Sequence, residues 1–242
     1  MDDAPSSVYT PVRSQTAFEE TFERLGSAIR LGLLAPGAQL PAERELCGML
    51  EVSRSTLRQA LLALTQAGLI HAVRGRGGGT FVARELPPAE PPSAELVAGW
   101  RDTCDLRLAT DLAVAALATE RAGRDQLEPL RDLVDEMREV TMPFERFRRL
   151  DVRFHVGLAE LTQNDRLVVA TTESQAAMSS LIAHISHPPE VLEHSNVQHE
   201  RMLDGIAAGD REDVLATMAE HVLGTTHILA GLLRAAAADE GG

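Results

Sequence analysis

Residues 52–61 read Val52-Ser-Arg-Ser-Thr-Leu-Arg-Gln-Ala-Leu61, and this stretch decides how the first part of the chain folds. Ser53 is a good N-cap, because its hydroxyl can accept a hydrogen bond from the free amides at a helix start. Leu57 and Leu61 recur at helical spacing and predict an apolar back for this helix. Arg54 and Arg58 lie one turn apart, so the helix presents two guanidinium groups near its N-terminus.

The elements around this helix predict a winged helix-turn-helix over residues 16–84. Apolar residues at helical spacing predict a first helix over 18–34, and Pro41 opens a short second helix. Gly68 is the expected end of the third helix. Two β-like runs, 69–73 and 80–83, then flank the glycine-rich turn 74–79 and predict a hairpin. Residues 1–15, before the first helix, are expected to be flexible.

This order of elements predicts an interface with double-stranded DNA. The N-terminal turns of a recognition helix enter the major groove, and arginine can fork onto guanine edges or phosphates. The hairpin tip can reach the minor groove or the backbone. The side chains suited to these contacts are Ser53, Arg54, Ser55, Thr56 and Arg58 on the helix, with Arg74 and Arg76 on the wing.

A proline-rich segment, 85–93, separates this head from the rest of the chain. It holds four prolines in nine residues and is therefore a stiff, extended linker. Beyond it, over 94–236, apolar residues recur at three- and four-residue steps and predict an all-α bundle of six or seven helices. Residues 237–242 are expected to form a flexible tail. The fold class is mainly α.

The net charge of −13 is distributed unevenly. Residues 1–85 hold nine arginines and nine acidic residues, whereas residues 86–242 hold fourteen arginines and twenty-seven acidic residues; lysine is absent. A balanced head on an acidic body is typical of a DNA reader fused to a sensor, although many unrelated proteins share the asymmetry. The polar, acidic start does not resemble a signal peptide, and no apolar run could span a bilayer. We therefore expect a cytoplasmic protein without membrane contact.

Four residues of the body predict a metal site. Asp151 and His155 are four residues apart and share a helix face. His199 and His221 are each eleven residues from Asp210, so a turn there would bring the two histidines together between antiparallel helices. Three imidazoles and a carboxylate suit a divalent ion, Zn²⁺ first and Ni²⁺ or Mn²⁺ as alternatives. The competing interpretation is that each histidine is an ordinary, hydrogen-bonded core residue.

A second group of histidines surrounds Pro188 and Pro189. His184, His187 and His194 lie on either side of these prolines, and a loop is expected there. We interpret this group as surface histidines rather than as metal ligands.

The head resembles the GntR family of bacterial regulators. The resemblance rests on four stretches: Leu33-Leu-Ala-Pro-Gly-Ala-Gln-Leu-Pro-Ala-Glu-Arg-Glu-Leu46, Val52 to Leu61, Ala67-Gly-Leu-Ile70, and Gly75-Arg-Gly with Thr80-Phe-Val82. The additional glycines at 78 and 79 depart from the family pattern. The resemblance implies that Arg44, Arg54, Arg58 and the wing around Arg74 and Gly75 touch the operator. It also implies a homodimer on a palindromic site.

The body resembles the FCD domain of the FadR subgroup of this family. Arg107-Leu-Ala-Thr-Asp111, Asp151-Val-Arg-Phe-His155, the stretch from His199 to Asp210, and His221 carry this resemblance. It implies that Asp151, His155, His199 and His221 bind a metal, and that Arg107 meets the carboxylate of an effector. Asp111 and Gln198 stand where glutamate is commoner in the family.

Together these features predict a transcriptional regulator, a repressor rather than an enzyme, whose operator binding responds to a small organic acid bound beside a metal ion. Two alternatives stay open at this point. One is a repressor for which the metal ion is itself the signal. The other is a metal-dependent enzyme fused to a DNA-binding head, since His/Asp sites can activate water; no general base with a recognisable spacing supports it.

Overall fold

The computed structural model of the chain describes residues 17–75, 78–87, 94–138, 143–183 and 189–239. The described residues divide into two compact units, the first formed by 17–30 with 34–87 and the second by 31–33 with 94–239. The expected flexible N-terminus (1–15) and residues 88–93 of the expected linker lie outside the described residues. Residues 85–87 of that linker belong to the first unit.

The first unit is a winged helix-turn-helix, so the prediction from the sequence is confirmed. Its helices are α1 (Ala17–Arg30), α2 (Glu43–Leu50) and α3 (Arg54–Gln66). Strands β1 (Ile70–Val73) and β2 (Gly79–Val82) pair in antiparallel fashion with Ile70 opposite Val82. Apolar side chains from every element form the core, among them Leu25, Ile29, Leu46, Leu57, Leu64, Ile70 and Val82.

The tight turn between α2 and α3 depends on two residues. Glu51 takes a left-handed conformation with φ 52° and ends α2. Ser53 then caps α3, its Oγ accepting a hydrogen bond of 3.1 Å from the amide of Thr56. This cap satisfies one of the free amides at the helix start and sets the direction in which α3 leaves the turn.

The second unit is all helical, as predicted, with seven α-helices in the part of the chain that the structure describes. They are α4 (Ala94–Ala98), α5 (Trp100–Arg121), α6 (Glu128–Glu136), α7 (Phe144–Leu161), α8 (Asp165–Ile182), α9 (Pro189–Ala208) and α10 (Arg211–Asp239), with a short 3₁₀ helix over Arg124–Gln126.

One helix end in this unit differs from the expectation. α10 continues to Asp239, so residues 237–239 are helical where a flexible tail was expected. Alanine has the highest helix propensity of all residues, and four alanines in succession (235–238) extend the helix.

The turn between α9 and α10 brings these helices together as an antiparallel pair. Gly209 adopts φ +72°, a conformation in which glycine avoids the steric cost that other residues pay. Oδ1 of Asp210 accepts a hydrogen bond of 3.1 Å from the amide of Asp213 at the start of α10. Gly205 allows close contact, since a Cβ there would lie 2.6 Å from Cγ2 of Val214.

The core of the second unit surrounds α7. Phe154 and Leu158 of α7 are fully buried, with Met202 and Leu203 of α9 and Met218 of α10 in the same cluster. None of the described helices is long and apolar enough to cross a membrane.

Candidate metal centre and nucleic-acid interface

Three helices of the second unit bring four potential metal ligands together in the core. α7 carries Asp151 and His155 on one face, α9 carries His199, and α10 carries His221. One ligand atom from each residue lies within 4.8 Å of the others. All four side chains are buried, with at most 5% of any residue exposed. The turn at Asp210 therefore brings His199 and His221 together, as predicted from the sequence.

The ligand atoms face one another in two pairs. Nε2 of His155 lies 3.1 Å from Nε2 of His221, and Nε2 of His199 lies 3.2 Å from Oδ1 of Asp151. The second pair is close, but its geometry is not that of a hydrogen bond. Neither ring nitrogen of His199 has a hydrogen-bond partner among the described residues.

These residues fit a divalent ion. Bonds of about 2.1 Å to one ion place neighbouring donor atoms about 3–3.5 Å apart. The two facing pairs lie 3.1 and 3.2 Å apart, and all four donor atoms lie within 4.8 Å of one another. Imidazole nitrogen and carboxylate oxygen are donors that Zn²⁺, Ni²⁺ and Mn²⁺ accept. The buried nitrogens of His199 are costly without a partner, and an ion would provide one.

Electrostatics favour the metal-binding protonation states of three candidate ligands: His155, His221 and Asp151. Burial holds the pKa of His155 and that of His221 well below their ordinary value, so both rings are neutral near pH 7. Burial would raise the pKa of Asp151, but the charge of the Arg148 guanidinium and the close contacts with His199 and His155 together outweigh it, and this pKa lies well below its usual value. Neutral imidazole and ionised carboxylate are the metal-binding forms.

Arg148 is a functional residue that the sequence reasoning missed. It lies one turn before Asp151 on α7, and its Nη1 donates to Oδ2 of that carboxylate. Its other donors bind α8: Nη2 donates to Oε1 of Gln175 at 2.7 Å, and Nε donates to Oγ of Ser179 at 3.0 Å. Arg148 therefore leaves Oδ1 of Asp151 facing the histidines. In the sequence, this contact is indicated only by the spacing of three residues between Arg148 and Asp151, which places both on one helix face.

Gln198 contacts the Nδ1 side of the His221 ring. Its Oε1 lies 3.2 Å from Nδ1 of His221, and both side chains are buried. An amide oxygen accepts, so Nδ1 carries the proton and Nε2 presents its lone pair toward His155. Hydrogen bonds of this kind fix the ring tautomer of metal-binding histidines.

Arg107 lies in α5 beside this centre and is 2% exposed. Its Nε donates to Oδ2 of Asp111 at 3.2 Å. The same carboxylate oxygen lies 3.9 Å from Nδ1 of His155. Burial raises the pKa of Asp111, and the charge of Arg107 opposes this shift. Arg107, the predicted effector residue, thus contacts the candidate metal centre through Asp111.

In the first unit, most predicted DNA-contacting side chains are exposed. Arg44, Arg54 and Arg74 are exposed and form no ion pair with other described residues. Gly75 adopts φ +102°. Arg76 lies outside the described residues.

The start of α3 is ordered by its own polar groups. Oγ of Ser53 lies 2.8 Å from Oγ of Ser55 and 2.7 Å from Oγ1 of Thr56. Arg58 differs from the other arginines, because its Nε donates to Oε2 of Glu43 on α2 at 2.8 Å. The Arg58 guanidinium on α3 is therefore held beside the start of α2 by Glu43.

Comparison with known families identifies both units. Residues 18–82 match the family described as bacterial regulatory proteins, gntR family, and residues 102–224 match the FCD domain. This chain belongs to the GntR family and carries an FCD domain. It is a transcriptional regulator rather than an enzyme, and its head is a DNA-binding domain.

Relatives of this GntR-family regulator are similar over most of their length. The HTH-type transcriptional regulator LutR of Bacillus subtilis is 29% identical over 84% of this chain and 96% of LutR. The HTH-type transcriptional repressor NanR of Cronobacter sakazakii is 29% identical over 88% of this chain and 85% of NanR. The structure of E. coli McbR/YncC covers 90% of this chain and 99% of its own with a TM-score of 0.55; at 19% identity it supports the fold alone.

A cavity of about 340 Å³ opens beside the candidate metal centre of the FCD domain. Gln198 and His221 line it together with apolar side chains such as Phe147 and Leu192. His194 lies at the same cavity, exposed and 4.0 Å from Glu220. It stands apart from the four ligands, in agreement with its interpretation as a surface histidine; His184 and His187 lie outside the described residues.

Proposed function

We propose that this GntR-family regulator is a repressor whose operator binding is controlled by a small organic acid bound beside a divalent metal ion in the FCD domain. The observation that carries the proposal is the buried convergence of Asp151, His155, His199 and His221 within 4.8 Å. Zn²⁺ is the first candidate, and Ni²⁺ and Mn²⁺ suit the same donors. The repressor role is supported by the similarity to NanR, which is described as a repressor.

The charges around the centre favour an anionic effector. Arg107 with Asp111, and Arg148 with Asp151, form two buried ion pairs that are each neutral. A divalent ion held by these residues would add positive charge, which attracts a carboxylate. Because an unpaired buried charge is costly, an acid that brings negative charge binds favourably.

Arg107 is the residue that would bind the acid's carboxylate. The one hydrogen bond that its side chain makes with other described residues runs from Nε to Asp111. The two terminal nitrogens thus keep their donors for a carboxylate, and paired hydrogen bonds from a guanidinium are among the strongest contacts for that group.

For the head, we propose a homodimer on a palindromic operator. Arg54, with Ser53, Ser55 and Thr56, would enter the major groove, while Arg44, Arg58 and the wing residues Arg74, Gly75 and Arg76 would contact the flanking DNA. The effector can change the affinity for the operator only to the extent that it binds one arrangement of the dimer more tightly than the other.

Thermal stabilisation tests the proposal. A panel of small carboxylic acids is added to metal-loaded and to chelator-stripped protein, and melting is followed. A ligand at about 100 times its Kd adds about 2.7 kcal/mol of stability, and we expect this gain only in the loaded protein. His199→Ala should abolish it, whereas His194→Ala, the exposed control, should not.

A DNA measurement completes the test. Duplexes selected from a random library by the full protein serve as operators, and the stabilising acid should lower the affinity for them. If no acid acts but metal removal itself releases the DNA, the organic-acid proposal is wrong and the ion is the signal. Turnover of an acid by the protein would indicate an enzyme.

A further inference from the structure

The outer face of α3 consists of four exposed side chains at helical spacing: Ser55, Arg58, Gln59 and Leu62. The buried side chains of this helix lie on its opposite side: Leu57, Ala60, Leu61 and Leu64. A helix that lies in the major groove can present residues i, i+3, i+4 and i+7 to the base edges, and the outer face has this spacing. The DNA contacts proposed above include Ser55 and Arg58 but give no role to Gln59 and Leu62.

Leu62 is 59% exposed, although it is a large apolar side chain. It is the one large hydrophobic residue that α3 exposes, and every residue of α3 is described. A single exposed leucine is ordinary on a protein surface, but Leu62 lies one turn beyond Arg58 on the face that continues the proposed DNA interface. The helix carries no acidic residue, so nothing on α3 itself repels the phosphates of DNA. The position therefore fits a groove of DNA.

Gln59 is exposed beside Leu62, and its side-chain amide makes no hydrogen bond with any other described residue. Its neighbour Arg58 is paired with Glu43. The amide of Gln59 offers an NH₂ donor and a carbonyl acceptor side by side. Adenine presents the complementary pair in the major groove, with the acceptor N7 next to the N6 amino group.

We propose that Gln59 and Leu62 select A·T base pairs in the operator, with Gln59 bound to N7 and N6 of an adenine and Leu62 packed on the 5-methyl group of a thymine. This inference rests on the proposed entry of α3 into the major groove. Side chains three residues apart on a helix are about 5–6 Å from each other, and neighbouring base pairs are about 3.4 Å apart. The adenine and the thymine therefore lie within two base pairs of each other.

Base analogues test the two contacts one group at a time. Duplexes selected from a random library by the full-length protein serve as operators. Each thymine in turn is replaced by deoxyuridine, which lacks the 5-methyl group, and each adenine by 7-deazaadenine, which lacks the N7 acceptor. We expect one thymine whose methyl loss weakens binding about 4-fold, as for one apolar group of this size. Within two base pairs of it, we expect one adenine whose N7 loss weakens binding about 5-fold, as for one hydrogen bond.

Alanine variants assign each sensitivity to its side chain. Leu62→Ala should abolish the effect of deoxyuridine and keep that of 7-deazaadenine, and Gln59→Ala should do the reverse. Leu62→Met keeps an apolar side chain and should retain the methyl sensitivity. Leu106→Ala is the control, because it shortens a leucine of similar exposure (62%) in the FCD domain, and it should change neither. The salt dependence should stay the same in all four variants, since none of them loses a phosphate contact. Melting temperature is measured for every variant.

Gln59→Glu adds a test by gain of a new preference. An ionised carboxylate accepts hydrogen bonds but donates none, so it suits the N4 amino group of cytosine rather than adenine. Selection from the same library with this variant should yield cytosine where the parent selects adenine. The preference is measured as the ratio of affinities for matched duplexes, which removes any general loss of DNA binding from the comparison. Continued selection of adenine would overturn the role of Gln59.

The outcomes separate this inference from the proposed function. Sensitivity to deoxyuridine that persists unchanged in Leu62→Ala would overturn the thymine contact. A lower mass of Leu62→Ala in solution, with the methyl sensitivity unaltered, would instead place Leu62 between two copies of the chain. Loss of operator binding in Arg54→Ala, with parental affinity in Gln59→Ala and Leu62→Ala, would overturn this inference alone. Parental affinity in all three variants would overturn the proposed entry of α3 into the major groove, and the inference with it.

Discussion

Nε2 of His155 and Nε2 of His221 face each other at 3.1 Å in the core of the FCD domain. Burial keeps the pKa of each ring well below its ordinary value. The unfolded chain takes up these protons near pH 6.5, whereas the folded chain does so only at lower pH. Between these pH values the unfolded state binds more protons, so stability rises with pH in this window and is lost as pH falls below about 6.5.

We therefore expect the melting temperature of the chelator-stripped protein to fall between pH 7.5 and pH 5.5. Replacing both rings, His155→Asn with His221→Asn, should flatten this dependence, and His194→Asn should not. Metal content should decline over the same window, because protons compete with the ion for neutral imidazole. An unchanged pH slope in the double variant would contradict this origin of the acid sensitivity.

The ion pair of Arg148 and Asp151 should be strongly coupled. Removing one partner of a buried pair leaves an uncompensated charge and costs about 3–5 kcal/mol. We expect Arg148→Met to lower the free energy of unfolding of the stripped protein by that order. The further change Asp151→Asn should restore part of it, since no buried charge is then left unpaired.

A double-mutant cycle in urea, with both single variants and the double variant, measures the coupling. Use of stripped protein keeps metal loss out of the result. Arg121→Met, which removes an arginine whose Nη1 donates to the carbonyl of Thr162 at 2.6 Å, is the control. Additive effects of Arg148→Met and Asp151→Asn would show that this pair does not hold the carboxylate in place.

Gln198 should set the metal affinity through His221. Loss of the acceptor at 3.2 Å from Nδ1 frees the ring to rotate or to change tautomer, and loss of such a partner costs about 10–100-fold in metal affinity. Gln198→Leu is expected to show this loss in competition with a chromogenic chelator, while Gln198→Glu retains the acceptor and the affinity. Glu200→Gln, in the same helix, should have no effect; equal affinity of Gln198→Leu and the parent would refute the role.

The convergence of the four candidate ligands could be predicted from the sequence because helix geometry is periodic. Asp151 and His155 needed only the pitch of one helix, and His199 and His221 needed only a turn at Asp210. The same periodicity is compatible with a contact between Arg148 and Asp151, but it does not show that Arg148 is buried, since the same helix carries Arg146, Arg149 and Arg153. Only the packing of α7 on α8 shows which arginine is buried.

Tertiary packing also decides two features of polar side chains. The pair of Arg58 and Glu43 joins α2 and α3, and the spacing of these residues along the chain does not indicate it. The unpaired hydroxyl of Thr171 on α8 is likewise not indicated by the sequence. Thr171 and Thr172 are neighbours of the same type, and their environments alone make one hydroxyl unpaired and the other bonded to the backbone.

Gly205 should be required for the approach of α9 to α10. A Cβ there would lie 2.6 Å from Cγ2 of Val214, and overpacking of a core costs about 1–3 kcal/mol. Gly205→Ala should therefore destabilise the protein and weaken metal binding, because His199 and His221 lie on the separated helices. Gly224→Ala, in α10 with nothing within 4 Å of the added atom, should instead stabilise by about 0.5–1 kcal/mol. Chemical denaturation of both variants tests this contrast. If both substitutions stabilise the protein, α9 and α10 can accommodate a Cβ at position 205, and the prediction is wrong.

Arg54 should contribute more to operator binding than its exposure alone suggests. It follows the Ser53 cap at the start of α3, and its side chain forms no ion pair with other described residues. Arg58 forms an ion pair with Glu43, and DNA contact would compete with that pair. Arg54, the other arginine of α3, can contact DNA without breaking an ion pair. Arg54→Ala should weaken binding to selected duplexes by about 1–3 kcal/mol. Arg24→Ala, which removes an arginine paired with Glu20 in α1, should have little effect.

Titration at several salt concentrations assigns the contact that Arg54 makes. A fall of about one in the salt slope indicates a phosphate, and relaxed preference at one base pair indicates a base edge. Unchanged affinity in Arg54→Ala would move the recognition surface away from the start of α3.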